Sequence, residues 1–326
     1  MPAHLSAFIV TSELPHLTVS RALALVVLIA LRPTPLHAQT IDDGVMMSKG
    51  ALFTGNIYTH DSWDHYWEGD LKRDNGNIGT LTTKSSTWFG NYGLTDRLNF
   101  MATVPYVWTR ASQGVLHGMQ GVQDITFARK YCFYERLSTK AGALRALAVA
   151  SAGLPLTDYT PDFQPFSIGS ASKRVSGRFT IDLHSNPGWF VSGSTAYTKR
   201  GTVTLDRPYY FTNNQFFMTD EVEMPGVFDY VVRGGYRKRH STAMFSFTQQ
   251  KTQGGGDIRR QDMPFASNRM DFSRAGAMLM HPIPKLRDLF LQYSLAYTID
   301  GRNVGQATTI TAGLFYRFHF LGRPTR

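Results

Sequence analysis

Close to the C-terminal end, Ile310, Ala312, Leu314, Tyr316, Phe318 and Phe320 alternate with Thr309, Thr311, Gly313, Arg317 and His319, and Phe315 alone breaks the order. Residues two apart on a β-strand share a face. One face is therefore apolar while the other carries a guanidinium and an imidazole, which suits a strand with lipid on one side and a polar lumen on the other. The pattern recurs. Leu289, Leu291, Tyr293, Leu295, Tyr297 and Ile299 oppose Gln292, Ser294, Ala296, Thr298 and Asp300. Phe228, Tyr230, Val232, Gly234 and Tyr236 oppose Asp229, Arg233, Gly235 and Arg237, and Val175, Gly177, Phe179, Ile181 and Leu183 oppose Ser176, Arg178, Thr180, Asp182 and His184. Leu98, Phe100, Ala102, Val104, Tyr106 and Trp108 form a further apolar row. These runs are roughly nine to eleven residues long, the length a tilted strand needs to cross a bilayer. Strands of a soluble sandwich are shorter, about five or six residues.

Short connections rich in turn formers or charge fall at 92–97, 137–142, 184–188, 237–240 and 281–285. Longer ones lie between them at 60–79, 110–120, 155–170, 201–226, 252–268 and 301–305. Membrane barrels keep short turns on the periplasmic side and long loops outside. The alternation thus predicts an all-β protein, a transmembrane antiparallel up-and-down β-barrel of twelve strands with both ends in the periplasm. The strands fall near 51–60, 80–92, 97–110, 121–135, 143–154, 171–184, 189–200, 227–238, 241–252, 268–280, 287–299 and 306–320. A hairpin within 201–226, where Tyr209, Tyr210, Phe211, Phe216 and Phe217 gather, would raise the number to fourteen. The alanine-rich strand at 143–154 has no clear phase, and two more strands strain the pattern. Arg129 falls among Ile125, Phe127, Tyr131 and Phe133 on a lipid face, and Arg274 shares a face with Met270, Phe272, Met278 and Met280, a conflict a bulge would relieve.

Arg21, the apolar run 22–31 and the small Ala38 have the order of a secretory signal peptide. The expected division is a leader at 1–38, a periplasmic N-terminal segment at 39–50, the outer-membrane barrel at 51–320 and a short tail at 321–326. A barrel satisfies every backbone donor and acceptor without water, so an exported chain of this pattern is expected in the bacterial outer membrane. Cys132 is the only cysteine, which rules out an internal disulfide and a thiolate metal cluster. The net charge of +10 favours anionic partners such as lipopolysaccharide. Outer-membrane lipid, the barrel-assembly machinery and a small-molecule solute are the expected partners. No nucleic-acid module is present in the sequence, so nucleic acid is not expected.

The segment Tyr92-Gly93-Leu94-Thr95-Asp96-Arg97-Leu98, through Val104-Pro105-Tyr106-Val107 to Gly121-Val122-Gln123-Asp124-Ile125-Thr126, resembles the outer-membrane meta-pathway phenol-degradation family. Gly153-Leu154-Pro155-Leu156-Thr157-Asp158 resembles its Leu-Pro-Thr-Gly loop, with Leu156 a departure. The resemblance implies an exported, transporter-like barrel tied to uptake of aromatic or other hydrophobic compounds. Such barrels commonly end on an aromatic residue, whereas here Leu321 to Arg326 follow Phe320.

On this register the ionisable residues facing the lumen are Asp124, Lys130, Arg178, Asp182, Asp229, Arg233, Arg237, Arg317 and His319. They form either a charged constriction that selects solutes or a network of ion pairs filling the barrel. Trp88, Tyr92, Tyr106, Trp108, Trp189, Tyr197, Tyr236, Tyr293 and Tyr297 are expected as interfacial girdle residues. His60, Asp61, Asp64, His65, Glu68 and Asp70 crowd the first outer loop beside Trp63, Tyr66 and Trp67, but their spacing matches no calcium loop. No metal and no cofactor are expected. The pairs His184–Ser185 and His240–Ser241 lie at predicted periplasmic turns, away from outer-leaflet lipid, so an enzymatic barrel is the rival reading and not the expected one. The function expected is passive passage of small, hydrophobic or aromatic compounds, with a closed structural barrel as the other alternative.

Overall fold

The computed structural model describes residues 40–138, 142–238, 241–259 and 264–321. The leader at 1–38, most of the tail at 322–326, and His240 lie outside the described residues. Twelve long antiparallel strands close into a barrel. They are β1 (Ala51–Trp63), β2 (Leu81–Thr95), β3 (Leu98–Ala111), β4 (Ile125–Ser138), β5 (Gly142–Leu154) and β6 (Arg174–His184) in the first half. The second half comprises β7 (Trp189–Arg200), β8 (Gly226–Lys238), β9 (Ser241–Gln253), β10 (Asp271–Ile283), β11 (Leu286–Arg302) and β12 (Thr308–His319). Closure is made by β1, which pairs with β2 on one side and with β12 on the other, from Ala51 opposite His319 to Ser62 opposite Thr308. No edge is left in the wall.

The apolar rows point outward. Leu295, Tyr297 and Ile299 on β11, Ile310, Leu314 and Tyr316 on β12, and Phe179, Ile181 and Leu183 on β6 are all exposed, while Thr180, Asp182 and Thr298 between them are buried inside. In water such a surface would be a liability, whereas lipid is its natural solvent. A register shift between Cys132 and Tyr134 turns both Phe133 and Tyr134 outward, so β4 keeps an aromatic outer face on either side of the irregularity. Arg129 lies on that outer face, exposed, where the alternation places it.

The hairpins in the long loops do not join the wall. Val203–Thr204 pairs with Glu221–Val222 and Tyr210–Thr212 with Gln215–Phe217 in small separate ladders. Tyr210 stacks on Phe217 and Phe265, so this loop folds on the 254–270 loop and the count stays at twelve. On β10 the face carrying Arg274, Met278 and Met280 is the inner one, which corrects its sequence assignment to lipid. Met280 is 1% exposed, and Arg274 donates to the inward Thr298. Ala277 faces out instead. The guanidinium therefore lies inside the wall beside Phe272, and the pairing with β11 shifts register between Ser273 and Arg274, where the sequence called for a bulge.

Of the girdle aromatics, Trp189 and Tyr236 meet edge to face at the short-turn end, and Tyr58, Tyr106 and Trp108 cluster nearer the other. Tyr197 pairs with Phe228 near the long-loop ends of β7 and β8, and Tyr297 is exposed on β11. Trp88 and Tyr293 also face outward, but each sits near the middle of its strand rather than at an end.

Candidate functional site: a plugged lumen

Phe315, the residue that breaks the alternation of β12, points into the barrel and is 3% exposed. It stacks on Phe53 of β1 with ring centres 4.9 Å apart, and Phe53 also meets Phe290 of β11 at 5.7 Å and Phe89 of β2 at 6.4 Å. Met101, Met278 and Met280 complete a continuous apolar lining on one side of the lumen. Rings and thioethers in this arrangement make favourable offset, edge and sulfur contacts beyond simple burial. The other side carries charge: Lys130 on β4, Arg178 and Asp182 on β6, and Asp229, Arg233 and Arg237 on β8. The lumen thus has two unlike walls, where sequence reasoning had expected a polar one throughout.

Between them runs the N-terminal segment. Residues 40–48 precede β1, which begins at the short-turn end, and they make contacts on several sides of the interior. Lys130, which is 0% exposed, donates to Asp43 Oδ1 at 2.6 Å and to the Thr40 carbonyl at 2.7 Å. Arg233 on β8 pairs with Asp42. Ile41 and Met47 pack on the opposite, aromatic wall. The Asn99 carboxamide of β3, in the orientation that satisfies both groups, takes the Met47 N–H at 2.7 Å. A segment tied to β3, β4 and β8 and to the aromatic wall crosses the lumen, so it is a plug rather than a free periplasmic extension. Two glycines make room for it. A side chain on Gly44 would overlap Asp182, and one on Gly93 would overlap the Ser48 carbonyl.

Asp42 is held by charge against burial. Burial pushes its carboxyl pKa up, but the Arg233 guanidinium, Arg178 and the Thr40 hydroxyl together outweigh burial and hold it well below the usual carboxylate range. Asp42 is therefore anionic throughout the physiological range.

The sequence-derived lumen residues fall into three groups. Lys130, Arg178, Asp182, Asp229, Arg233 and Arg237 share the charged wall; Arg178 donates to Ser194 Oγ at 2.9 Å, and Arg237 lies 3.6 Å from Asp182 with its guanidinium 3.9 Å from the Phe190 ring centre. Arg317 and His319 lie apart from these, at the short-turn mouth, and share Asp288 at 2.6 and 3.6 Å. Asp124 stands near the long-loop end and works as a latch. It accepts from Tyr159 Oη and from Arg174, both at 2.6 Å, and so fastens the 155–173 loop to the wall. Burial and the Asp124 hydrogen bond push the Tyr159 phenol well above its ordinary pKa. The lumen residues that sequence reasoning missed are Asp42, Asp43, Asp288, Arg145 and the inward phenylalanines and methionines. Asp42-Asp43, separated from the first strand by seven residues, was the available sign of the plug.

In the first long loop the acidic residues are engaged within the chain. His65 lies between Asp64 at 2.7 Å and Asp74 at 2.9 Å, Glu68 pairs with Arg73, Asp70 with Arg302, and Asp61 accepts from Thr309. At the 184–189 turn His184 Nε2 is 3.2 Å from the Arg237 carbonyl, and Ser185 donates to the Trp189 carbonyl, so each faces backbone.

This is a closed transmembrane-type β-barrel whose interior is occupied by its own N-terminal segment. Among solved structures it is similar to the COG4313 outer membrane channel from Pseudomonas putida F1, with TM-score 0.67 and 15% identity over 87% of this chain and 100% of that one. The translocator domain of the autotransporter NalP from Neisseria meningitidis (TM-score 0.44, 10% identity, 92% and 94% covered) is a looser match. So is the TodX monoaromatic hydrocarbon channel mutant (TM-score 0.42, 11% identity, 84% and 91% covered), and neither score supports a conclusion. No protein-family profile and no curated protein match the sequence. The likeness therefore establishes the barrel fold.

Proposed function

We propose that the chain is an outer-membrane channel that lets small molecules pass passively, with hydrophobic or aromatic compounds as its cargo. The observation that carries this reading is the aromatic and methionine wall inside the lumen, from Phe53, Phe89, Phe290 and Phe315 to Met278 and Met280. Small-molecule sites are lined mainly by apolar and aromatic side chains with a few placed polar groups, and a water-filled sieve for hydrophilic solutes needs no such lining. The likeness of the 92–126 motifs to the phenol-degradation family points the same way. Export through the leader at 1–38, insertion by the barrel-assembly machinery, short turns in the periplasm and a belt of lipid and lipopolysaccharide around the wall belong to this proposal. So does the absence of catalysis. Cells lacking the protein should grow more slowly on dilute aromatic carbon sources, and the intact chain should restore growth. Unchanged growth and uptake on every such compound would remove the cargo assignment.

A further inference from the structure

The plug is chemically the kind of object the lumen accepts. We infer that the solute is an amphipathic anion, a compact apolar body bearing a carboxylate, bound where residues 40–47 now lie. The inference deepens the channel reading above and rests on it.

Charge bookkeeping within the lumen supplies the first step. Of the wall cations, Arg145 has Glu135 at 2.7 Å and Arg237 has Asp182 at 3.6 Å, both partners from the wall itself. Lys130 and Arg233 differ: their carboxylates are Asp43 and Asp42, supplied by the plug. Arg178 also feels Asp42, with Asp229 the nearby wall carboxylate. When the plug withdraws, two cations on a confined wall lose their counter-charges. An uncompensated charge in such a place is costly, so the vacated wall attracts anions and disfavours cations.

The apolar contacts supply the second step. Met47 of the plug belongs to the buried apolar cluster that includes Phe53, Phe89 and Phe315, and Ile41 packs against that cluster. Ile41 is bonded directly to Asp42, and adjacent Cα atoms are about 3.8 Å apart. One small molecule can therefore reach both poles, its ring or chain on the phenylalanines and its carboxylate on Arg233 or Lys130. A neutral molecule of the same shape would satisfy the aromatic wall and leave the cations bare.

The test uses the full-length chain with Asp42→Asn and Asp43→Asn, which removes the anchoring charges, in planar bilayers. Three probes share one apolar body: 4-phenylbutyrate, 4-phenylbutyramide and 4-phenylbutylamine. The carboxylate is expected to block the ion current at a concentration about tenfold lower than the amide, with the amine weakest. Adding Lys130→Met and Arg233→Met should erase the difference. Equal block by carboxylate and amide, or strongest block by the amine, overturns the inference and leaves the channel standing. Absence of any current in a variant that still migrates as a folded, heat-modifiable barrel overturns the channel reading and the inference with it. A second measurement needs no charge variant: in a Met47→Cys, Cys132→Ser chain, 4-phenylbutyrate should speed thiol labelling of residue 47 by displacing the plug, and the amide should not. Equal labelling rates with both compounds contradict the proposal independently.

Discussion

Lys130 sets burial against charge most sharply, since its ammonium has no solvent exposure and depends on Asp43 and the Thr40 carbonyl. Removing one partner of such a pair leaves a buried charge and typically costs about 3 to 5 kcal/mol. Lys130→Met should therefore loosen the plug, read as a large increase in the open time of single-channel records, and a closed time equal to wild type would show that Asp43 is held by something else. Asp42 makes a pH prediction. Its pKa in the plugged state lies below the value it would have when free, so its anchoring is fully present above the ordinary aspartate range and is lost as pH falls through the lowered value. Closure should hold from about pH 7 to about pH 5 and weaken only below about pH 4, checked by conductance against pH. A rise in open probability near pH 6 would implicate a histidine instead. Period-two spacing made Lys130, Arg233 and Asp182 legible as inward residues. The partners of Lys130 and Arg233 were not legible, because Asp43 and Lys130 are 87 positions apart and the segment holding Asp42 and Asp43 has no period at all.

Among the elements, the strands were the most readable feature, since lipid outside forces a strict outer face and the short turns punctuate it. The inner face was misread where it is apolar. Strands such as β1 and β12 carry hydrophobic residues on both faces, and Phe53 and Phe315 then look like exceptions to an alternation rather than members of a second surface. Met278 and Met280 were assigned to lipid for the same reason: an apolar row alone does not say which side of the wall it faces. The register can be checked at the two arginines nearest the question. Arg129 is exposed on the outer face of β4, and a lipid-facing arginine costs about 2 to 4 kcal/mol at mid-depth. Arg129→Leu should stabilise the folded barrel toward guanidinium chloride in vesicles by up to about that amount, whereas Arg178→Leu, on the inner face, should not. The reverse ranking would mean that the two faces of the β4–β6 wall are exchanged. The plug segment makes its own steric prediction. Gly44→Leu would collide with Asp182, so the plug should fail to seat while the wall folds normally, seen as raised conductance with unchanged heat-modifiable migration.

For the whole molecule, twelve strands enclose a space intermediate between barrels filled by their own side chains and barrels with open channels. This chain fills that space with residues 40–48, and fastens its long loops with Asp124–Tyr159–Arg174 on one side and Asp70–Arg302–Asp257 on the other. On the proposed channel reading such a molecule would be closed at rest and conduct only when the segment leaves, which would make the segment and the two-walled lumen together the functional unit. The most direct test compares single-channel currents of the intact chain with those of a chain lacking residues 40–48. The account expects rare, small openings in the first and a large, stable conductance in the second. Identical currents in both would show that the N-terminal segment does not close this barrel.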